Sequence, residues 1–150
     1  MYKNSLVHRI AKITVDILFF GGIGFLLCVP LWRKIVMDAY GLDVISSLPL
    51  IILIVLAGLL TLYILFNLKR MYKTLLGANP FVWENVKSLR KIAVACALIA
   101  LMFLIRAVVF FSVGTVLIVI IFSVGCLFCL TLKDLFKQAI AYKEENEWTV

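Results

Sequence analysis

Apolar and polar positions do not alternate along this chain. They separate into four long apolar runs, residues 13–31, 48–68, 92–111 and 113–132, with short polar connections between them. A run of about 18–20 apolar residues, rising about 1.5 Å per residue, matches the roughly 30 Å hydrocarbon core of a bilayer. In hydrocarbon every peptide group must find its partner within its own segment, so each run is predicted as a membrane-spanning helix. The pattern predicts an all-α fold: a polytopic membrane protein, one four-helix transmembrane bundle over residues 1–150 with short helical extensions outside the membrane.

The edges of the runs predict the connections. Residues 69–76 continue the second helix; Gly77 then suits a C′ position, and Asn79-Pro80 an N-cap and first helical residue. A new helix is expected from Pro80 into the third span, with Val82, Val86 and Leu89 on one face. Residues 69–91 therefore form a hairpin whose stalks project about 12 and 18 Å. The fourth run also overruns: Leu132, Leu135, Phe136, Ala139 and Ile140 make an amphipathic stripe expected to pack on the hairpin. The remainder of residues 133–150 turns acidic, which places Glu144, Glu145 and Glu147 to fold back onto the hairpin's Lys and Arg. At the opposite end, residues 33–47 read as the only substantial loop and residues 112–114 as a tight turn. The first run is longer than a signal-peptide core, and Val29-Pro30-Leu31-Trp32 is a poor cleavage site, so it too reads as a membrane helix.

Charge adds orientation. The 15 Lys and Arg outweigh 8 Asp and Glu, a net +7. Lys3, Arg9 and Lys12 precede the first run; Lys69, Arg70, Lys73, Lys87, Arg90 and Lys91 fill the hairpin; Lys133, Lys137 and Lys143 follow the fourth. The opposite end has only Arg33 and Lys34, offset by Asp38 and Asp43. The positive-inside rule then predicts both termini in the cytoplasm, with the bundle in the cytoplasmic membrane. A basic surface there faces anionic lipid headgroups, not nucleic acid.

Ionisable or polar groups within spans are functional candidates, which singles out Asp16, Asn67 and Arg106. An Asp16–Arg106 pair fails on depth, since Arg106 stands about 21 Å up an outward-running helix. Asp16 is expected to pair with Lys12 or face a polar bundle interior, Arg106 to snorkel towards Asp38 or Asp43, and Asn67 to be interfacial. Cys28, Cys96, Cys126 and Cys129 all lie in apolar runs, where packing explains them better than a disulfide framework or the Cys126-x-x-Cys129 redox pair. His8 has no ligand-spaced neighbours, and Gly21-Gly22-x-Gly24 follows no strand, so it reads as a close helix contact. No nucleophile–base pair, catalytic carboxylate pair, metal-ligand set or cofactor motif is present, and no enzyme is expected.

Two stretches resemble a known family. Residues 79–93, Asn79-Pro80-Phe81-Val82-Trp83-Glu84-Asn85 through Leu89-Arg90-Lys91-Ile92, resemble its segment NPF-x-x-EN-x-x-x-LR-x-I. The ending Lys143-Glu144-Glu145-Asn146-Glu147-Trp148-Thr149-Val150 resembles K-x-EN-[DE]-L-T-[IV], with Trp148 where the family has Leu. This is the bacterial membrane family called domain of unknown function 2975, and the resemblance is expected to cover the whole chain. It implies four spans and no established enzymatic activity. It also implies a cytoplasmic partner, because members are often encoded beside a small Xre-type helix-turn-helix DNA-binding protein. On that basis Asn79, Pro80, Phe81, Glu84, Asn85, Arg90, Lys91, Glu144, Glu145, Asn146, Glu147 and Trp148 become the candidate partner-binding residues. The function expected is that of a membrane regulator or anchor of such a protein. The alternative is a small transporter or immunity-type protein acting on peptides or ions. Self-association is left open by the sequence.

Overall fold

The computed structural model describes the backbone of residues 6–40, 44–75 and 80–148, and the side chains of residues 9–35, 37, 38, 48–74 and 80–146. The described residues form five helices: α1 (Leu6–Leu27), α2 (Val29–Tyr40), α3 (Val44–Leu75), α4 (Trp83–Val109) and α5 (Val113–Trp148). Four of them are long and apolar enough to cross a bilayer, over Arg9–Leu27, Leu48–Thr74, Trp83–Val109 and Val113–Asn146. The chain is a multi-pass membrane protein. At 32 and 36 residues, α3 and α5 reach about 48 and 54 Å, well past the roughly 30 Å hydrocarbon core. Two threonine hydroxyls within the spans are satisfied locally. Thr61 and Thr131 donate to the carbonyls of Ala57 and Leu127, one turn back on their own helices.

The first span and the expected loop after it need correction. The helix breaks at Cys28, whose N–H is shared between the Gly24 and Phe25 carbonyls at 3.0 and 3.2 Å. Pro30 enforces the break: it lacks an N–H, and its ring would meet the carbonyl of Leu26 in a continued helix. In the first turn of a new helix it is tolerated. Residues 33–40, expected in a loop, therefore belong to α2, with Val29, Trp32 and Met37 on one side and Lys34 and Asp38 on the other. The second span starts at Leu48, as expected, and the helix that carries it begins earlier, at Val44, with Pro49 inside it.

The helices pack in chain order, α1 on α3, α3 on α4 and α4 on α5, while α2 touches α1 and α3. Among the described residues α1 meets neither α4 nor α5. The centre is α4. In its most apolar window 39% of residues are buried, against 6% in each of the other three spans. Its buried set (Asn85, Val86, Ser88, Leu89, Ile92, Ala93, Ala95, Cys96, Ile99, Ala100) repeats at seven-residue spacing and gives two adjacent stripes, enough for a neighbour on each side. Ser, Ala and Cys at five of those positions let backbones approach closely, the means by which helices associate where lipid removes any hydrophobic driving force. Met71, Leu89, Ile92 and Cys96 form the core, and Phe122, Cys126, Cys129 and Leu132 of α5 close over it.

α1 is held by two reciprocal seats. Leu62 of α3 lies over Gly22 of α1, where an added Cβ would stand 2.9 Å from its Cδ2, and Leu26 of α1 lies over Gly58 of α3. The pairs 22/62 and 26/58 fall in one antiparallel register. By contrast, a Cβ on Gly21 or Gly24 would meet nothing within 4 Å. Gly58→Leu should therefore overpack the α1–α3 seat and cost about 1–3 kcal/mol, read as a lower unfolding temperature in detergent. Gly21→Leu should leave that temperature unchanged.

Candidate functional site

The residues of the 79–93 motif meet at the end of the molecule where α3 turns into α4. Pro80 was expected as the first residue of α4, but the helix begins at Trp83. Its N-cap, Val82, is extended (φ −127°, ψ 146°) and makes no side-chain cap bond. The reason lies in the Pro80 carbonyl, which accepts from the Val82 N–H at 3.2 Å and from Asn85 Nδ2 at 2.7 Å. A carbonyl can only accept, so this contact fixes which way the Asn85 amide points. Asn85 Oδ1 then faces the Thr74 hydroxyl of α3 at 2.7 Å, and that hydroxyl is equally 2.7 Å from the Met71 carbonyl. Asn85 is 1% exposed. Among the candidates for partner binding, it is instead consumed inside the turn, tying the start of α4 to the end of α3. Asn79 lies outside the described residues.

The extension of α5 closes over this turn. The rings of Phe81 and Phe136 lie 5.3 Å apart, tilted by 55°. Trp83 Nε1 donates to Glu144 Oε1 at 3.4 Å. Glu144 thus comes back to the hairpin, as the acidic ending implied, but to an indole rather than to a Lys or Arg. Lys143, Glu145 and Asn146 also make interactions of their own. Of the apolar stripe, Ile140 is buried and Leu132, Phe136 and Ala139 half-buried, whereas Leu135 points out. The stripe is narrower than expected because α5 has one neighbour, α4, on which to bury it. The ending is helical through Trp148; the side chains of Glu147 and Trp148 lie outside the described residues. Lys73, Lys87, Arg90 and Lys91 are exposed around the turn, and Arg70 reaches Glu84 only at 4.0 Å, with both side chains exposed.

These are the two stretches that the motifs marked, now adjacent in space. A family model described as a protein of unknown function (DUF2975) matches residues 40–150. The chain belongs to the DUF2975 family. The match is narrower than the whole-chain resemblance expected, covering α3, α4 and α5 and beginning at the end of α2. No curated protein and no solved structure matches the chain.

Of the intramembrane candidates, Asp16 departs furthest from expectation. Asp16 pairs with neither Lys12 nor a polar interior. The antiparallel register of α1 and α3 carries it to Lys69, whose Nζ lies 2.7 Å from Oδ1. The contact is an ion pair rather than a directed hydrogen bond. The Lys69 ammonium also stands over the rings of Phe19 and Phe20, at 5.6 and 5.4 Å. Asn67 is 4% exposed, and its amide donates to the Tyr63 carbonyl at 2.8 Å. It lies on the side of α3 that meets α4, between Ile64, Leu68 and Met71. Arg106 does not reach Asp38. Its guanidinium carbon lies 5.5 Å from the Phe110 ring, and among the described residues no carboxylate pairs with it. Asp43 and the side chain of His8 lie outside the described residues. Asp16 and Arg106 sit on helices that do not touch, so the fold does not bring them together.

The sequence marked Asn85 but not its task; it took Lys69 only as a basic residue of the hairpin, Trp83 only as a motif position, and it passed over Thr74. A buried amide this short of alternatives gives a direct test. Asn85→Leu removes the bonds of Asn85 with the Pro80 carbonyl and the Thr74 hydroxyl, which tie the start of α4 to the turn and to α3, and should cost about 1–3 kcal/mol. The loss should show as faster proteolysis between residues 75 and 83 and a lower unfolding temperature. Glu84→Ala, which removes only the exposed contact with Arg70, should change stability by less than about 1 kcal/mol.

Proposed function

We propose that this protein is a non-catalytic membrane regulator or anchor that holds a cytoplasmic helix-turn-helix DNA-binding protein at the bacterial cytoplasmic membrane. The observation that carries the reading is the closed head at the hairpin end. Asn85 locks the turn, and Phe81–Phe136 and Trp83–Glu144 fix the α5 extension to it. The product is one preformed surface, fringed by exposed Lys73, Lys87, Arg90 and Lys91, on helices too long for the bilayer alone. A preformed surface costs a partner little ordering on binding. The partner class comes from the family resemblance, and the cytoplasmic placement of head and termini from the Lys and Arg concentrated at that end. The logic is sequestration: a protein held at the membrane does not reach DNA, and any ligand or signal that favours one arrangement of the head shifts the balance between held and released protein. A transport reading asks Asp16 and Arg106 to share a path, and their helices do not touch.

Two experiments test this. In a background without the native cysteines, a cysteine at Asp43 should label with an impermeant reagent in intact cells and one at Lys143 should not; the reverse pattern removes the cytoplasmic head. Second, full-length protein isolated in detergent should carry a helix-turn-helix protein, identified by mass spectrometry. A chain truncated after Gln138, which loses Glu144 but keeps all four spans insertable, should lose it. Equal recovery with both chains, or none with either, refutes the reading.

A further inference from the structure

At the end opposite the hairpin, the break at Cys28 leaves a pocket between α2 and α3. Phe25 and Trp32 form one wall, their rings 6.3 Å apart, and Leu50, Ile51 and Ile54 of α3 form the other. Its volume is about 110 Å³ and its lining is almost wholly apolar. A dry apolar cavity of about 150 Å³ takes one benzene, so this one takes a few methylenes of a chain rather than a whole molecule. The one charged residue lining it is Arg33. With an apolar lining, Arg33 contributes its hydrocarbon stem, and its charge stands at the rim.

Arg33 is half-buried, and among the described residues no carboxylate pairs with it; Asp38 on the same helix is exposed and does not reach it. A guanidinium at the rim of an apolar slot, with no carboxylate paired to it among the described residues, favours an anion. Position narrows the choice. The 19-residue span Arg9–Leu27 covers about 28 Å, so the chain is near the far edge of the hydrocarbon where α2 begins. The helix after the bend is amphipathic and carries Trp32, the residue type that anchors at headgroup level. An apolar slot with a cation at its rim, at that depth, has the polarity of one amphiphile end to end.

We propose that this pocket binds an anionic phospholipid, with a segment of one acyl chain between α2 and α3 and the phosphate on Arg33. Phospholipid is favoured over a free fatty acid because it is the anionic amphiphile a bilayer presents in bulk at this level. The site is independent of the head at the other end of the molecule, and its α2 wall lies outside the segment matched by the family model.

Native mass spectrometry of the full-length protein in detergent, titrated separately with dioleoyl phosphatidylglycerol, dioleoyl phosphatidylcholine and oleic acid, tests it. Phosphatidylglycerol should be retained at least about tenfold more tightly than phosphatidylcholine, as expected for one charge-assisted contact. Arg33→Gln, which leaves the apolar packing intact, should remove that preference, and Ile51→Trp, which fills the slot, should remove retention of both lipids. Unfolding temperatures identify any variant that fails to fold, and Arg33→Gln alone then decides. Lys34→Gln, an exposed neighbour, should change nothing. Equal retention of the two phospholipids, an equal loss in Lys34→Gln, a preference for oleic acid, or no retained lipid overturns the proposal.

Discussion

A peptide group in hydrocarbon has no water to fall back on, and this constraint shapes the chain from end to end. It keeps the middle of each apolar run helical and sends the departures from helix towards the ends of the runs. The Cys28 bend, the turn between α3 and α4, and residues 110–112 between α4 and α5 all sit at span ends. Side chains obey the same rule. Asn67, Thr61 and Thr131 return their donors to carbonyls of their own helices, so they cross lipid-depth regions without a partner from elsewhere.

Once the helices exist, lipid gives them no hydrophobic reason to associate, and close packing has to do it. That is why α4, the helix richest in small residues at its contact positions, becomes the centre. Its two stripes hold α3 and α5, and these three helices are also what the family model covers. α1 attaches differently, through glycine seats at Gly22 and Gly58 and the Asp16–Lys69 pair near the hairpin end. All three contacts share one antiparallel register. The pair alone is half-exposed and worth little, so the seats must carry the packing, and the ion pair helps to select the register.

The spans were legible because their signal is the sum of about twenty residues each, which no single misplaced side chain can reverse. α2 was not, because Arg33, Lys34 and Asp38 look like loop chemistry to a reading tuned to hydrocarbon, although their spacing is helical. Asp16 was misassigned for a related reason. Lys12 is near in sequence, whereas Lys69 is near only once the register of α1 and α3 is known, and Gly22 and Gly58 set that register from elsewhere. The head was half legible: the motif marked Asn85, Phe81 and Glu144, but an N-cap reading of Asn79-Pro80 moved the helix start three residues early. Local cap preference lost to a tertiary bond, the one from Asn85 to the Pro80 carbonyl.

That bond also connects the head to the bundle. α3 and α5 run without interruption from the packed core to the hairpin end, and α4 starts where Asn85 joins it to Thr74 of α3. Phe81–Phe136 and Trp83–Glu144 then join the same turn to α5. The core around Cys96 reaches to the turn, because Phe136 packs both against that core and against Phe81. Helices of this length are stiff, so a change in how α4 and α5 pack near Cys96 and Gly125 must either alter the spacing of Phe81 from Phe136 or strain the turn that Asn85 holds. Coupling of this kind needs no special pathway. It asks only for stiff helices that share packing from the core to the turn, which is what Phe136 provides between the core and Phe81.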